Sequence, residues 1–553
     1  MGAYTYPRFP YTAPDDLRAD PPQRRPLVIV GAGPVGLAAA IDARQQGLPV
    51  LVFDEDDTVS VGSRAVCYAK RALEILDRLG VGEPAVQRGV SWNVGRTFLR
   101  EEEVYRFDLV PEPGHKRPGM INLQQYHLEE MLIARARALG ADLRWRYKVV
   151  SVQPQADHVK LQVETPDGVF ALEADWLVAA DGARSATRRM LGLDIEGRIF
   201  MDRFLIADVI MEADYPAERW LWFDPPFHPN QTVLLHKQSD NVWRIDFQLG
   251  WDADPEEEKK PEKVIPRIRA MLGDERKFEL EWVSIYTFQC RRMKEFRHGR
   301  VLFVGDAAHQ VSPFGARGAN SGIQDTDDLM WKLKLVMGGQ APERLLDTYS
   351  EDRSYAADEN LLNSTRSTDF ITPKSRASKA FRNAVLDLAR EQPFARKLVN
   401  SGRLSVPSYL VHSRLNTPDA EAFAGDMVPG APMADAPVEE AGQPGWLLDA
   451  VGNRFVLLLF LSDVDKLTPS WRDQVDALAG GPIPVETVVV TPQGGELRGV
   501  RVLKDTQGLA AARYDATPGT AYLVRPDQHV AARWRTLQPA RVRAALAHAT
   551  CND

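Results

Sequence analysis

The first sustained hydrophobic run is Leu27-Val28-Ile29-Val30, set between Pro26 and Gly31. A run this short, rich in β-branched residues and free of polar ones, reads as a parallel strand buried on both faces. Apolar residues then fall at helical spacing, at Val35 and from Leu37 to Ile41, and a second strand over 49–53 closes on Asp54. Together these predict a βαβ unit. Beyond it the pattern predicts a helix over 70–80, a less regular stretch to about residue 117, a helix over 125–139 and a β run over 143–178 that ends in a strand at 176–180.

From 199 to 298 aromatic residues crowd in, among them Trp220, Trp222, Phe223, Phe227, Trp251 and Trp282. Val242–Leu249 alternates strictly: Trp243, Ile245, Phe247 and Leu249 share one face and Arg244, Asp246 and Gln248 the other, as in an antiparallel strand with unlike faces. A buried strand over 301–304, a long helix over 320–337 and further helix over 342–400 follow. A Pro/Gly-rich stretch at 425–437 is the best linker candidate. After it come strands over 455–461, 485–490 and 522–524. No internal repeat interrupts this order.

The length, 553 residues, allows about three or four domains. With 68 Lys+Arg against 76 Asp+Glu and no dense basic block, the chain carries no electrostatic footprint for nucleic acid. Three cysteines, none in a C-x-x-C, exclude a disulfide scaffold and a thiolate metal site and fit a reducing cytoplasm. Residues 1–25 are rich in Pro, Arg and Asp and lack an apolar signal segment, so they are expected to form a tail or a surface-hugging arm. The longest apolar stretch is too short and too interrupted by glycine to span a bilayer, which leaves a soluble protein with no membrane partner.

Three motifs carry chemistry. Gly31-Ala32-Gly33-Pro34-Val35-Gly36 lies between a strand and a helix, where the first glycine permits the tight turn, the second admits a pyrophosphate and the third lets helix and strand pack closely. Asp54 stands 18 residues after Gly36 at the next strand end, placed to bind a ribose hydroxyl pair. The second motif is Asp181-Gly182-Ala183-Arg184-Ser185-Ala186-Thr187-Arg188 and the third Gly305-Asp306-Ala307-Ala308-His309, the latter continuing through Pro313, Gly315, Gly318 and Asn320 into the long helix. Each of these follows a buried strand. There is a single dinucleotide fingerprint and no second Gly-rich βαβ unit.

In this order the three motifs resemble those of the single-component (class A) flavoprotein monooxygenases, the aromatic-ring hydroxylases, and the resemblance covers at least residues 26–350. It implies an α/β protein with a Rossmann-like FAD-binding domain, an interleaved β-rich substrate domain and a C-terminal thioredoxin-like domain. The expected boundaries are a tail over 1–25, the FAD-binding domain over 26–198 and 299–360, the substrate sheet over 199–298, a helical segment over 361–425 and the thioredoxin-like domain over 426–553. Arg64 in Ser63-Arg64-Ala65 and Gln125 in Gln-x-x-Leu-Glu-x-x-Leu match the family's positions at the flavin's phosphate and ribityl chain. Gly31, Gly33, Pro34, Gly36, Asp54, Asp181, Gly182, Asp306, Pro313, Gly318 and Asn320 complete the expected FAD site, with Asp306 on a ribityl hydroxyl. His309 is expected to pack or cap. The C-terminal resemblance rests on Tyr514-Asp515 and on Tyr522-Leu-Val-Arg525-Pro-Asp527-Gln-His529-Val; without C-x-x-C that domain is expected to serve packing or self-association, in a homodimer or larger homo-oligomer.

On the substrate side, the resemblance implies that FAD is held permanently while NADH or NADPH visits, and that O₂ forms a flavin C4a-hydroperoxide which hydroxylates a small phenolic compound ortho or para to its hydroxyl. A phenol reacts more readily once deprotonated, so a base or hydrogen-bond acceptor is expected among Arg244, Asp246, Gln248, His236 and Tyr286. The loop after Pro313 departs from the family's small or amide residues by carrying Arg317, which is expected either to pair with a substrate carboxylate or the reduced flavin, or to face solvent. The W-x-W-x-I-P motif of tryptophan halogenases is not found. The alternatives are a flavin epoxidase or dehydrogenase on a non-aromatic substrate, and a non-catalytic FAD-binding redox sensor.

Overall fold

The computed structural model describes residues 4–110, 112–399, 404, 406–466 and 469–553. Its first sheet has eight strands, and its spine is the parallel series Val301–Phe303, Gly168–Ala179, Gln23–Val30, Leu51–Asp54 and Asp142–Trp145. Leu27, Val28 and Ile29 are wholly buried, as a central strand covered on both faces requires. The helix Pro34–Gln45 begins on proline and presents Ala38, Ala39 and Ala40 as buried residues, small enough for it to sit close to its neighbours. Lys70–Leu79, Gln125–Ala138 and the 20-residue helix Gly318–Met337 complete this layer.

The second sheet also has eight strands, ordered His309–Gln310, Glu279–Arg292, Glu196–Ile210, Val242–Leu249, Thr232–Lys237, Arg219–Phe223, Val94–Leu99 and Glu102–Asp108. It is wider than the 199–298 segment that the sequence assigns to it. The hairpin 94–108, read as irregular, pairs in parallel with Arg219–Phe223, contacts that sequence order alone does not reveal. Trp243, Ile245 and Phe247 pack on one face with Val264 and Ile268 of the helix Pro261–Leu272. The opposite face looks toward the first sheet.

The C-terminal sheet has seven strands, with Phe455–Phe460 and Val485–Thr491 parallel and joined through the helix Pro469–Ala479. The antiparallel pair Ala521–Val524 and Val530–Trp534 follows on the other side, and the helix Pro539–Ala549 closes the chain, which is the thioredoxin-like arrangement. Its core includes Trp331 and Leu335 of the long helix 318–337. The turn at 525–528 enters the layer built on the first sheet: Arg71 donates to the Asp527 carbonyl at 2.6 Å and Arg78 to that of Pro526 at 3.1 Å.

Two further expectations change. The Pro/Gly stretch at 425–437 is not a free linker: Met427, Ala431 and Met433 are buried in the C-terminal core, and Gly430 and Met433 donate backbone hydrogen bonds to Val530 and Gln528. The helix Leu345–Ile371 runs through the expected boundary at residue 360 because its buried face is continuous. The N-terminal stretch is an arm, with Tyr4, Tyr6, Phe9 and Tyr11 packed on the first core. Residues 1–3 of that arm, and 400–403 and 405 of the helical segment, lie outside the described residues. Among the described residues no helix is long and apolar enough to cross a membrane.

Candidate active site

All three motifs lie at the carboxyl edge of the parallel spine. Val30 is in register with Ala179 and Phe53, and Ala179 with Phe303, so Gly31, Asp54, Asp181 and Asp306 emerge side by side from four strand ends. In an open α/β sheet this edge is where ligands bind. Gly31 has φ +104°, and a β-carbon there would overlap the Ala180 carbonyl. Gly36 is closed in by the Gly31 carbonyl and lies against Ala180. Gly33 differs from both: a β-carbon there would meet nothing within 4 Å. The first and third glycines therefore close the turn, while the second faces open space at the start of the helix Pro34–Gln45, where free N–H groups favour a phosphate. Pro34 occupies the first turn, where no N–H is needed.

The acids divide by what they hold. Asp54 accepts from the Ala32 amide at 2.6 Å and the Asp56 amide at 2.9 Å; burial pushes its carboxyl up to about 6. Asp181 accepts from the Thr187 amide at 2.8 Å, Gly182 makes the turn, and the Ser185 side chain caps the short helix Ala186–Met190 by accepting from the Arg188 amide. Arg188 from that helix donates to the Ala307 carbonyl at 2.6 Å, so the second motif is bonded to the third. The Asp306 carboxylate engages no donor among the described residues, and burial raises its pKa. An acceptor at a strand end left without such a donor fits a ribityl hydroxyl.

The loop 60–65 is held from four directions. Ser60 donates to Glu129, Gly62 to the Tyr6 hydroxyl at 2.9 Å and Ala65 to Gln125 at 3.0 Å, while Arg244 donates to the Ser63 carbonyl. The loop leaves Arg64 exposed, with its charge felt by both Asp306 and Tyr286. Across the site, exposed Pro313 and the turn that follows lead into Gly318, which lies beside Asp306 at the start of the long helix. Gly33, Asp306, Arg64 and this helix end together fit the pyrophosphate, ribityl chain and ring of FAD.

The substrate-side sheet presents aligned rows to this space. One row runs Arg219, His236, Arg244, Asp208 and Trp282 on five successive strands; the next runs Thr97, Leu221, Leu234, Asp246, Ile206 and Ser284; a third contains Phe223, Gln248, Phe204 and Tyr286. Burial holds His236 well below its ordinary pKa and leaves its Nδ1 unpartnered. Its Nε2 lies 4.0 Å from Asp246, whose carboxyl is raised by burial to about 6 and whose Oδ1 is also unpartnered. Tyr286 is pushed up to about 12, by burial first and then by Asp306, so its hydroxyl is a donor at neutral pH. A cleft between sheet and cofactor loop is lined by Thr97, Phe107, Arg219, Leu221, Phe314 and Gly315.

Residues 24–364 match the family described as FAD binding domain, and residues 430–549 match the HcaD C-terminal domain. The chain belongs to the class A FAD-dependent aromatic hydroxylases. It is 31% identical over 536 residues to 6-methylpretetramide 4-monooxygenase of Streptomyces rimosus, covering 93% of this chain and 91% of that one. It is 29% identical to a 3-(3-hydroxy-phenyl)propionate/3-hydroxycinnamic acid hydroxylase of Burkholderia cenocepacia, covering 96% and 97%. Among solved structures, the flavin-dependent monooxygenase PieE in complex with FAD and substrate superposes with a TM-score of 0.79 at 23% identity, covering 98% of this chain and 100% of that one. That last likeness is one of fold.

Within this hydroxylase fold, several expected residues sit differently from their sequence reading. Arg317 turns inward: it is buried and donates to Asn360 of the helix Leu345–Ile371 at 2.7 Å, so it neither faces solvent nor lines the cleft. The side chain of Asn320 is engaged by the backbone, accepting from Ala69 and donating to Cys67 and Ala316, and so ties the long helix to the strand Cys67–Ala69. His309 is buried at 2.6 Å from Asp325, which also receives Arg353 at 2.7 Å; it packs, as expected. The sequence reading missed Arg219, Asp208 and Thr97. Their shared signal was strand alternation, but alternation does not say which face meets the cofactor.

Proposed function

We propose that this hydroxylase uses NADH or NADPH and O₂ to place one oxygen atom on a phenolic ring, ortho or para to its hydroxyl. The observation that carries the reading is the cleft itself, bounded by Phe314 and Gly315 of the cofactor loop on one side and by Thr97, Arg219 and Leu221 of the sheet on the other. A ring bound there lies beside the cofactor loop and against Arg219 and Thr97, which stand at the ends of the two polar rows. Bound FAD supplies the chemistry of accepting electrons from the nicotinamide and activating oxygen.

The chain's own residues supply position and charge. Gly33 and the helix end behind it receive the pyrophosphate, and Asp306 accepts a ribityl hydroxyl. The N-terminus of Gly318–Met337 presents its positive dipole end to negative charge on the reduced ring. Asp246, with a carboxyl near 6, is the group best suited to take the phenolic proton, and His236 beside it is a neutral hydrogen-bond partner. Tyr286 donates. Leu221, Phe107 and Phe314 keep water from the ring.

The names of two relatives, a 6-methylpretetramide 4-monooxygenase and a 3-(3-hydroxy-phenyl)propionate/3-hydroxycinnamic acid hydroxylase, support the same class. The need for reduced nicotinamide and the absence of a C-x-x-C pair in the sequence support a cytoplasmic location. The test is a panel of phenols and phenolic acids assayed for stimulated NADH and NADPH oxidation with product analysis. A hydroxylated product formed with bound flavin is expected. Yellow enzyme whose nicotinamide oxidation no phenol stimulates would remove the reading and leave the non-aromatic or sensor alternatives.

A further inference from the structure

Several cations on and beside the cleft are matched to acids or amides among the described residues, and Arg219 is not. Arg96 pairs with Glu218 and Glu103, the latter at 2.9 Å, and Arg106 with Glu218 at 3.4 Å. Arg244 is held by Asp208 through two bonds of 2.8 Å, and Arg317 donates to Asn360. Arg219 lines the cleft with no carboxylate within ion-pair distance and no hydrogen bond among the described residues. Its partners in register are Gly95, which has no side chain, and His236, which burial keeps neutral. Asp246 stands one row further along the sheet and falls short of an ion pair with it.

A guanidinium partly withdrawn from water without an ion-pair partner is unfavourable: burial depresses the Arg219 pKa, and the nearby Cys67 and Asp246 act against this without pairing with it. The walls around it do nothing to offset that cost. The ring of Phe107 lies over Gly95 beside it, and Leu221 and Phe314 continue the apolar surface. A planar fork of N–H donors at one end of an apolar slot is complementary to a flat ring that bears an oxyanion.

We propose that Arg219 binds an anionic oxygen of the substrate, so that this hydroxylase acts on an acidic aromatic compound rather than a neutral one. The inference rests on the hydroxylase reading and narrows it to a substrate class. The anion is either a carboxylate carried on the ring or an ionised phenolic oxygen. Both present the same chemistry to the guanidinium, and binding measurements separate them.

The experiment uses the FAD-loaded enzyme and reads binding from the perturbed flavin absorbance. Two pairs of probes are compared at pH 8: 3-(3-hydroxyphenyl)propionate against its methyl ester, and 4-nitrophenol against 4-nitroanisole. The anionic member of at least one pair is expected to bind tighter by about tenfold to a hundredfold, the scale of a charge-assisted hydrogen bond. Preference in the first pair assigns a carboxylate, and preference in the second a phenolate. Arg219→Gln is expected to abolish the preference while the neutral member binds as before, and Arg219→Lys to restore part of it. Absence of any preference, absence of binding in both pairs, or a preference that survives in Arg219→Gln overturns the proposal. Flavin content of each variant is measured alongside. Wild-type enzyme that hydroxylates neutral phenols as readily as acidic ones removes only the Arg219 assignment, whereas failure to hold flavin or to respond to any phenol removes the hydroxylase reading beneath it.

Discussion

Arg244 and Asp208 face each other across neighbouring strands of the substrate-side sheet, joined by two hydrogen bonds of 2.8 Å, and the same guanidinium donates to the Ser63 carbonyl on the loop 60–65. One buried ion pair thus links the sheet to the segment that carries Arg64. Removing one partner of such a pair leaves an uncompensated charge and costs about 3–5 kcal/mol. Asp208→Asn is expected to lower the thermal midpoint and weaken FAD retention, and Asp208→Asn with Arg244→Met to recover part of the lost stability. Scanning fluorimetry and the flavin absorbance of the purified variants check both.

The open space at Gly33 and the crowding at Gly36 predict opposite failures. Gly33→Val should leave a folded but colourless protein, because its β-carbon meets no protein atom within 4 Å and would crowd the space proposed for the pyrophosphate. Gly36→Val should fail to fold, because its β-carbon overlaps the Gly31 backbone. Circular dichroism with a flavin assay separates the two outcomes.

Asp306→Ala removes an acceptor that has no partner among the described residues, so it should purify with little flavin at an unchanged thermal midpoint of the apoprotein. Asp306→Asn keeps a carbonyl acceptor and should hold an intermediate amount. Full yellow occupancy in the alanine variant would show that this carboxylate does not bind the cofactor.

The Asp246 carboxyl, ordinarily at 3.8, is raised by burial to about 6, against the lowering effect of Arg244. A raised carboxyl makes the folded state prefer the proton, so its contribution to stability is greatest below about 4, declines as pH rises to about 6, and is constant above that. Asp246→Asn should therefore gain in thermal midpoint over the wild type across pH 4–6, with the difference level from pH 7 upward. A midpoint difference that does not vary with pH would contradict the assignment.

Tyr286, raised to about 12, stays protonated across the working range. Tyr286→Phe is expected to slow turnover through a lost hydrogen bond, roughly tenfold on the scale of one such bond, without changing the shape of the pH–rate profile between 6 and 9. Loss of a limb of that profile would make Tyr286 the titrating base.

The cofactor side was legible because its signals are local. A strand, a glycine turn and a helix are encoded within about ten consecutive residues, and the structure places Gly31, Asp54, Asp181 and Asp306 on one edge, as that reading requires. The substrate side was legible only as a face: alternation in Val242–Leu249 grouped Arg244, Asp246 and Gln248. It did not reveal that Thr97, from a hairpin more than a hundred residues earlier, stands in the row of Asp246, or that Arg219 heads the row of His236 and Arg244. Arg317 shows the same limit. Its place in a cofactor loop was evident, but the packing of the helix Leu345–Ile371 turned it away from the cleft.

By itself the sequence determined that this chain holds FAD, because three short motifs each encode their own strand end, turn and helix start, and the ligand needs only those ends brought together. Tertiary structure alone decided which charges remain unmatched beside the ring. Pairing of one guanidinium with a carboxylate, and isolation of another, depend on distances of a few ångströms between strands remote in sequence, a quantity set by the packing of the two sheets and not by any local pattern.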